Sequence, residues 1–124
     1  SDQSTGINWS NGLFIYCNRI RNDGISIGRI NTDSITIRQG SGIYAAQICA
    51  QYLQGGFGDW YLPSKYELNL LYQQKNVVGG FANWAYWSSS EDNAHDAWSQ
   101  NFTNSVQAAI DKTFTYYVRA VRAF

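Results

Sequence analysis

Gly56-Phe57-Gly58-Asp59-Trp60-Tyr61-Leu62-Pro63-Ser64-Lys65-Tyr66-Glu67-Leu68 is the stretch on which the reading of this chain turns. Ser64 stands after a proline, and Glu67 follows three residues later. That is the spacing of a capping box, in which the serine oxygen accepts the amide of the third helical residue and the glutamate returns to the serine amide. Leu68, Leu71 and Tyr72 then supply the apolar face of the helix that begins here. The glycines before it lead into Asp59-Trp60, not into Lys-Ser/Thr or a strand-to-helix glycine fingerprint. They read as turn geometry and not as a phosphate cradle.

Upstream, Ala45, Ile48, Cys49, Tyr52 and Leu53 recur at the spacing of an amphipathic helix that Gly55-Gly56 ends. Before it, Leu13 to Cys17 is a continuous apolar run read as a strand. Ile25, Ile27, Ile35 and Ile37 alternate with polar residues as a hairpin would. With Ile27 opposite Ile37 and Arg29 opposite Ile35, Asn31-Thr32-Asp33 becomes the loop and Arg38 points to the outer face. Beyond Gly79-Gly80, strands are expected near Tyr86 to Ser89, Ala97 to Phe102, Val106 to Ile110 and Tyr116 to Val121. The expectation is an α+β domain of antiparallel sheets with two helices, the N- and C-terminal strands paired.

The 124 residues suit one domain, 1–124, with 44% hydrophobic, 16% aromatic and 15% charged residues, a balance that excludes disorder. Nine Lys and Arg against nine Asp and Glu leave no overall field to recruit nucleic acid. Sidedness remains, because Arg19, Arg21, Arg29 and Arg38 meet only Asp23 and Asp33 in their segment, whereas Glu91, Asp92 and Asp96 cluster elsewhere. No apolar run has the length of a membrane span and no charged-then-apolar leader stands at Ser1, so the start reads as that of a mature chain or a fragment.

Catalytic chemistry finds little purchase. The single histidine, His95, lies in the polar stretch Glu91 to Asp96 with no nucleophile motif near any serine, and the expectation is no enzyme. That stretch offers oxygens a calcium ion would accept, but without the glycine and bidentate glutamate of an EF-hand loop. Two distant cysteines and one histidine do not make a zinc site. No metal and no cofactor are expected. Cys17 and Cys49 can form one disulfide in an oxidising compartment or stay apart; spacing does not decide. Cys49 lies on an apolar helical stripe, packed or paired and not nucleophilic. Trp60, Trp84, Trp87 and Trp98 either stack on sugars or fill the core.

The opening stretch also resembles a bacterial hallmark, Gly-x-x-Asp-Trp-Arg-Leu-Pro-Thr/Ser-x-x-Glu-Leu. Further matches follow in order at Tyr86-Trp87-Ser88-Ser89-Ser90, at Trp98 with Asn101-Phe102, and at Tyr117-Val118-Arg119-Ala120-Val121-Arg122. Together they are similar to the C-terminal domain of the Legionella collagen-like adhesin, a family with a C-type-lectin-like fold. The resemblance covers about residues 43 to 124. It implies a secreted homotrimeric head at the end of a collagen-like stalk, displayed on the bacterial cell surface and binding sulfated glycosaminoglycans of host cells. The chain departs from that pattern at Tyr61, where the family usually has Arg, and at Ala120, where it often has Cys. The usual partner of Cys49 is therefore missing; Cys17 substitutes or both thiols stay reduced. Arg119 and Arg122, three apart on a strand, point to opposite faces, so one braces the fold.

Sulfates on a linear polyanion are well matched by arginine's planar, charge-assisted hydrogen bonds. The expected ligand-binding residues are Arg19, Arg21, Arg29 and Arg38, joined by Lys65, Lys75 and Lys112, with three copies around an axis adding avidity. Two alternatives stand beside this. One is a lectin-like head taking neutral glycans or protein through its aromatics and the Glu91 to Asp96 loop, calcium-assisted; the other is a ligand-free trimerisation cap. A formylglycine-type oxidase on a related fold would need exposed, reactive cysteines.

Overall fold

The computed structural model describes residues 2–18, 22–53 and 56–122. Strand β1 (Ser4–Ile7) opens the chain, followed by helices α1 (Ile27–Gln39), α2 (Ala45–Ala50), α3 (Lys65–Gln73) and α4 (Lys75–Val78). Strands β2 (Ala85–Glu91), β3 (Asp96–Asn101), β4 (Gln107–Asp111) and β5 (Tyr116–Val118) complete it. The strands form one five-stranded sheet in the order β1-β5-β2-β3-β4. β1 and β5 run antiparallel, with Ser4 opposite Val118 and Ile7 opposite Tyr116, so the two ends of the chain pair, but through Ser4–Ile7 and not through the N-terminal strands expected from the sequence. β5 meets β2 in parallel at Tyr86 and Tyr117, which makes the sheet mixed and not purely antiparallel. The α+β class holds, with four helices among the described residues in place of two.

The largest correction lies between residues 25 and 39. The hairpin expected there is the 13-residue helix α1, and the supposed loop Asn31-Thr32-Asp33 is its second turn. The isoleucines misled because they are not the buried face: Ile30 and Ile37 are exposed, and only Ile35 is fully buried. The buried stripe is Gly28, Asn31, Thr32, Ile35 and Gln39, helical in spacing and mostly polar. Its polar groups are satisfied internally. Asn31 Nδ2 donates to the Asn22 carbonyl at 2.7 Å, the Leu62 amide donates to Thr32 Oγ1 at 2.9 Å, and Gln39 Nε2 donates to the Leu13 carbonyl at 3.0 Å. A buried face built from hydrogen bonds carries no hydrophobic period to detect. Gly28 is required by close approach, since a Cβ there would lie 2.8 Å from the Leu62 carbonyl oxygen and 2.9 Å from the Ser64 amide.

The capping box of α3 forms as its spacing requires. The Glu67 amide donates to Ser64 Oγ at 3.3 Å, and the Ser64 amide returns to Glu67 Oε1 at 3.0 Å. Just before it, Tyr61 and Val121 exchange backbone hydrogen bonds at 2.8 and 2.9 Å, tying the motif to the C-terminal segment. The Leu13 to Cys17 run is irregular chain and not a strand.

Side chains alternate across the sheet, so neighbouring residues feed two cores. Trp87, Val118, Ala120 and Leu62 join Ile7, Trp9, Ile35, Tyr44 and Cys49 on one side. Tyr86, Val121 and Tyr61 join Leu68, Leu71 and Phe102 on the other. All seven residues of β2 are buried in consequence.

Candidate functional site

The basic residues sort by what they touch. Arg29 and Arg38 project from exposed positions on α1, and neither makes an ion pair with a described residue. Nine residues apart, they stand about 13 Å apart along the helix axis and about half a turn from each other, so they do not share one face. Arg29 borders an open cleft of about 230 Å³ between α1 and the motif, with Thr32, Asp33, Asp59, Trp60 and Tyr61 among its walls. Its guanidinium carbon lies 6.0 Å from the Tyr61 ring centroid.

Asp59 is taken by Arg122, whose Nε and Nη2 donate to its two oxygens at 2.7 and 3.2 Å; the Arg122 guanidinium carbon lies 3.7 Å over Phe57. The hydrogen-bonded Arg122 holds the Asp59 carboxyl below the usual carboxylate range, with Arg29 adding a smaller pull. Arg119 is buried, paired with Asp2 at 2.8 Å and donating to the Gly80 carbonyl at 2.8 Å. Of the two C-terminal arginines, it is the one that braces the fold.

Lys65 rests its ammonium 3.7 Å over the Trp98 ring. Lys75 donates to the Phe102 carbonyl at 2.7 Å and borders a separate cleft of about 290 Å³. Lys112 does not fit the expected binding surface. Its side chain is fully buried, 3.0 Å from Glu91 Oε1, with the ammonium 4.3 Å over the Trp9 ring. Arg19 and Arg21 lie outside the described residues. Arg29, Arg38, Lys65 and Lys75 therefore remain accessible on separate parts of one copy.

Sequence reading also placed Glu91 in a polar loop offering oxygens to a cation, whereas the structure buries it. Its carboxylate accepts the amides of Cys17 and Asn18, each at 2.8 Å to Oε2, besides the Lys112 ammonium. The turn that follows is held by Asn93 Oδ1, which accepts the His95 and Asp96 amides at 2.8 Å. His95 stacks on Phe14, ring centroids 4.8 Å apart. Among the described residues no three His, Cys, Asp or Glu side chains converge as metal ligands. Nothing in the spacing of Glu91, Lys112, Asp2 and Arg119 announces these pairs, because each joins residues distant in sequence.

Cys17 and Cys49 are both free and buried, and burial pushes each thiol above its ordinary value. Trp87 is core, while Trp84 remains 52% exposed. No described helix is long and apolar enough to cross a membrane.

A family model, the Lcl C-terminal domain, matches residues 1–122, nearly the whole chain. The chain belongs to the Lcl C-terminal domain family. Among curated proteins none matches it. Membership makes this an adhesin-related domain, and the structure shows what the motif residues contact in this Lcl C-terminal domain. Tyr61, standing at the arginine position of the hallmark, donates its hydroxyl to Glu67 Oε2 at 3.2 Å. The Tyr-Trp-Ser-Ser-Ser run is the buried centre of β2, where Trp87 Nε1 donates to the Ile7 carbonyl at 2.9 Å. Ala120 lies in the same core cluster as Cys49. The motifs are mostly architectural, and the exposed arginines lie outside them.

Proposed function

We propose that this Lcl C-terminal domain, with a C-type-lectin-like fold, is the trimeric head of a secreted, stalked bacterial surface adhesin that attaches to sulfated glycosaminoglycans of host cells. The observation that carries the reading is the division of the cations. Lys112, Arg119 and Arg122 are held by internal carboxylates, while Arg29 and Arg38 on α1 have no ion-pair partner among the described residues. An unpaired surface guanidinium can exchange water and salt for a sulfate, whereas a paired one must first give up its carboxylate. Arg19 and Arg21 stand a few residues before this helix and belong to the same proposed set, with Lys65 and Lys75 at its margins.

One copy presents too few cations on one face to grip a polyanion strongly. Three copies about an axis multiply the contacts with one chain and raise avidity through effective concentration. The domain acts by binding and not by catalysis, a reading supported by the burial of both thiols and by the stacking of the His95 ring on Phe14.

Heparin retention tests the proposal. Arg29→Glu/Arg38→Glu is expected to elute at clearly lower salt than the wild type, with the oligomeric state followed by light scattering. Elution at the wild-type salt concentration would overturn the assignment of α1 as a contact surface.

A further inference from the structure

The sheet face that sends Trp87 and Ala97 into the core continues beyond it as an open cleft of about 170 Å³. The register sets its floor: Ser99 lies opposite Ala108 on β4, and Ala85 on β2 lies opposite Asn101. Ala85, Ser99 and Ala108 are small, so the floor is flat. Trp84 and Tyr116 wall it, their rings nearly perpendicular at 84° with centroids 6.5 Å apart. Trp84, 52% exposed, is a large aromatic left outside both cores.

Two amides stand at the rim. Asn101 Oδ1 accepts the Thr103 amide at 2.8 Å, and Asn104 Oδ1 accepts the Val106 amide at 3.0 Å. Each side chain is thereby fixed by its oxygen, while its NH2 group donates to no described residue. Among the described residues no Asp, Glu, Lys or Arg lines the cleft.

We infer that this cleft is a second binding site, separate from the basic helix, and that it takes a single neutral pyranose ring. The apolar C–H face of a sugar packs on an aromatic ring, and its hydroxyls accept hydrogen bonds from fixed amide donors. A volume below the ~300 Å³ at which drug-sized pockets begin suits one ring and not a longer ligand. A lining without charge separates this ligand chemistry from that of a sulfated chain, which would find no cation here.

The test uses the whole 124-residue chain with a panel of neutral methyl hexosides and methyl N-acetylhexosaminides, followed by heteronuclear NMR. At least one sugar is expected to shift the Trp84 indole and the Asn101 and Asn104 side-chain amide signals saturably. Trp84→Ala is expected to weaken that binding about tenfold or more, with Trp84→Tyr, which keeps a ring, retaining part of it. Heparin retention of Trp84→Ala is expected to stay at the wild-type value, so this site and the arginine surface succeed or fail independently. The inference is overturned if no sugar shifts these signals, or if Trp84→Ala binds as tightly as wild type. It is equally overturned if the Trp84 signals respond to protein concentration and not to sugar, which would make the cleft a contact between copies.

Discussion

Two buried glutamates, Glu67 and Glu91, solve the same problem differently. Glu67 is fully buried and makes no ion pair with a described residue. It is met by the amides of Ser26 at 2.9 Å, Gly28 at 3.0 Å and Ser64 at 3.0 Å, and by the Tyr61 hydroxyl at 3.2 Å. Glu91 accepts two backbone amides but also faces the buried Lys112 ammonium. A carboxylate can be held in a core by oriented N–H dipoles alone, and then removing it strands neutral donors. When it is held partly by a cation, removing it strands a charge. Glu67 gathers the start of α1 onto the cap of α3, while Glu91 fastens residues 17 and 18 to the end of β2.

That contrast is broken most forcefully at Glu91. Glu91→Gln leaves the Lys112 ammonium buried without a counter-charge and is expected to cost about 3–5 kcal/mol in denaturant unfolding. Adding Lys112→Met is expected to restore much of it; a double variant as unstable as the single one would show that the stranded charge is not the cause. Glu67→Gln keeps the shape but turns an acceptor into a donor facing backbone amides, for an expected loss of about 1–3 kcal/mol. A cation-removing second substitution is expected to bring no recovery there, and recovery with Lys112→Met would refute the cation-free reading of that site. Ser64→Ala removes the cap oxygen together with its hydroxyl's hydrogen bond to the Gly24 carbonyl at 2.7 Å and is expected to cost about 1 kcal/mol. A cost near that of Glu67→Gln would mean the two residues act as one unit.

The smallest effect concerns the thiols, whose reactivity reports how well the Glu91 attachment closes the core over Cys17. Burial raises both folded-state values above the ordinary 9.0, so the unfolded chain releases these protons first. Stability is therefore unaffected by them below about pH 9 and declines as pH rises above it. Native protein at pH 8 is expected to react with a thiol reagent only as fast as it opens. Glu91→Gln should speed Cys17 labelling more than Cys49 labelling, and equal acceleration would mean the attachment is not local.

How much of this was legible depended on whether a residue's partner was near in sequence. The capping box was legible because Ser64 and Glu67 face each other across one helical turn, and the later strands because their apolar and turn residues alternate in short range. α1 was not, since its buried stripe of Asn31, Thr32 and Gln39 is stabilised by carbonyls and amides from residues 13, 22 and 62. The four isoleucines presented a false alternation in its place. At the candidate site, the identity of the basic residues could be read directly. That Lys112 is spent on Glu91, that Arg122 is spent on Asp59 and that Arg29 and Arg38 stand on opposite sides of one helix could not.

By itself the sequence determined the α+β class, the helix after Ser64 and, through its motifs, the family. These follow from local geometry and from patterns along the chain. Only the tertiary structure decided which cations remain available to a ligand and which aromatic is left outside the core. A charge is free or committed, and a ring buried or exposed, according to what the fold brings against it from elsewhere in the chain.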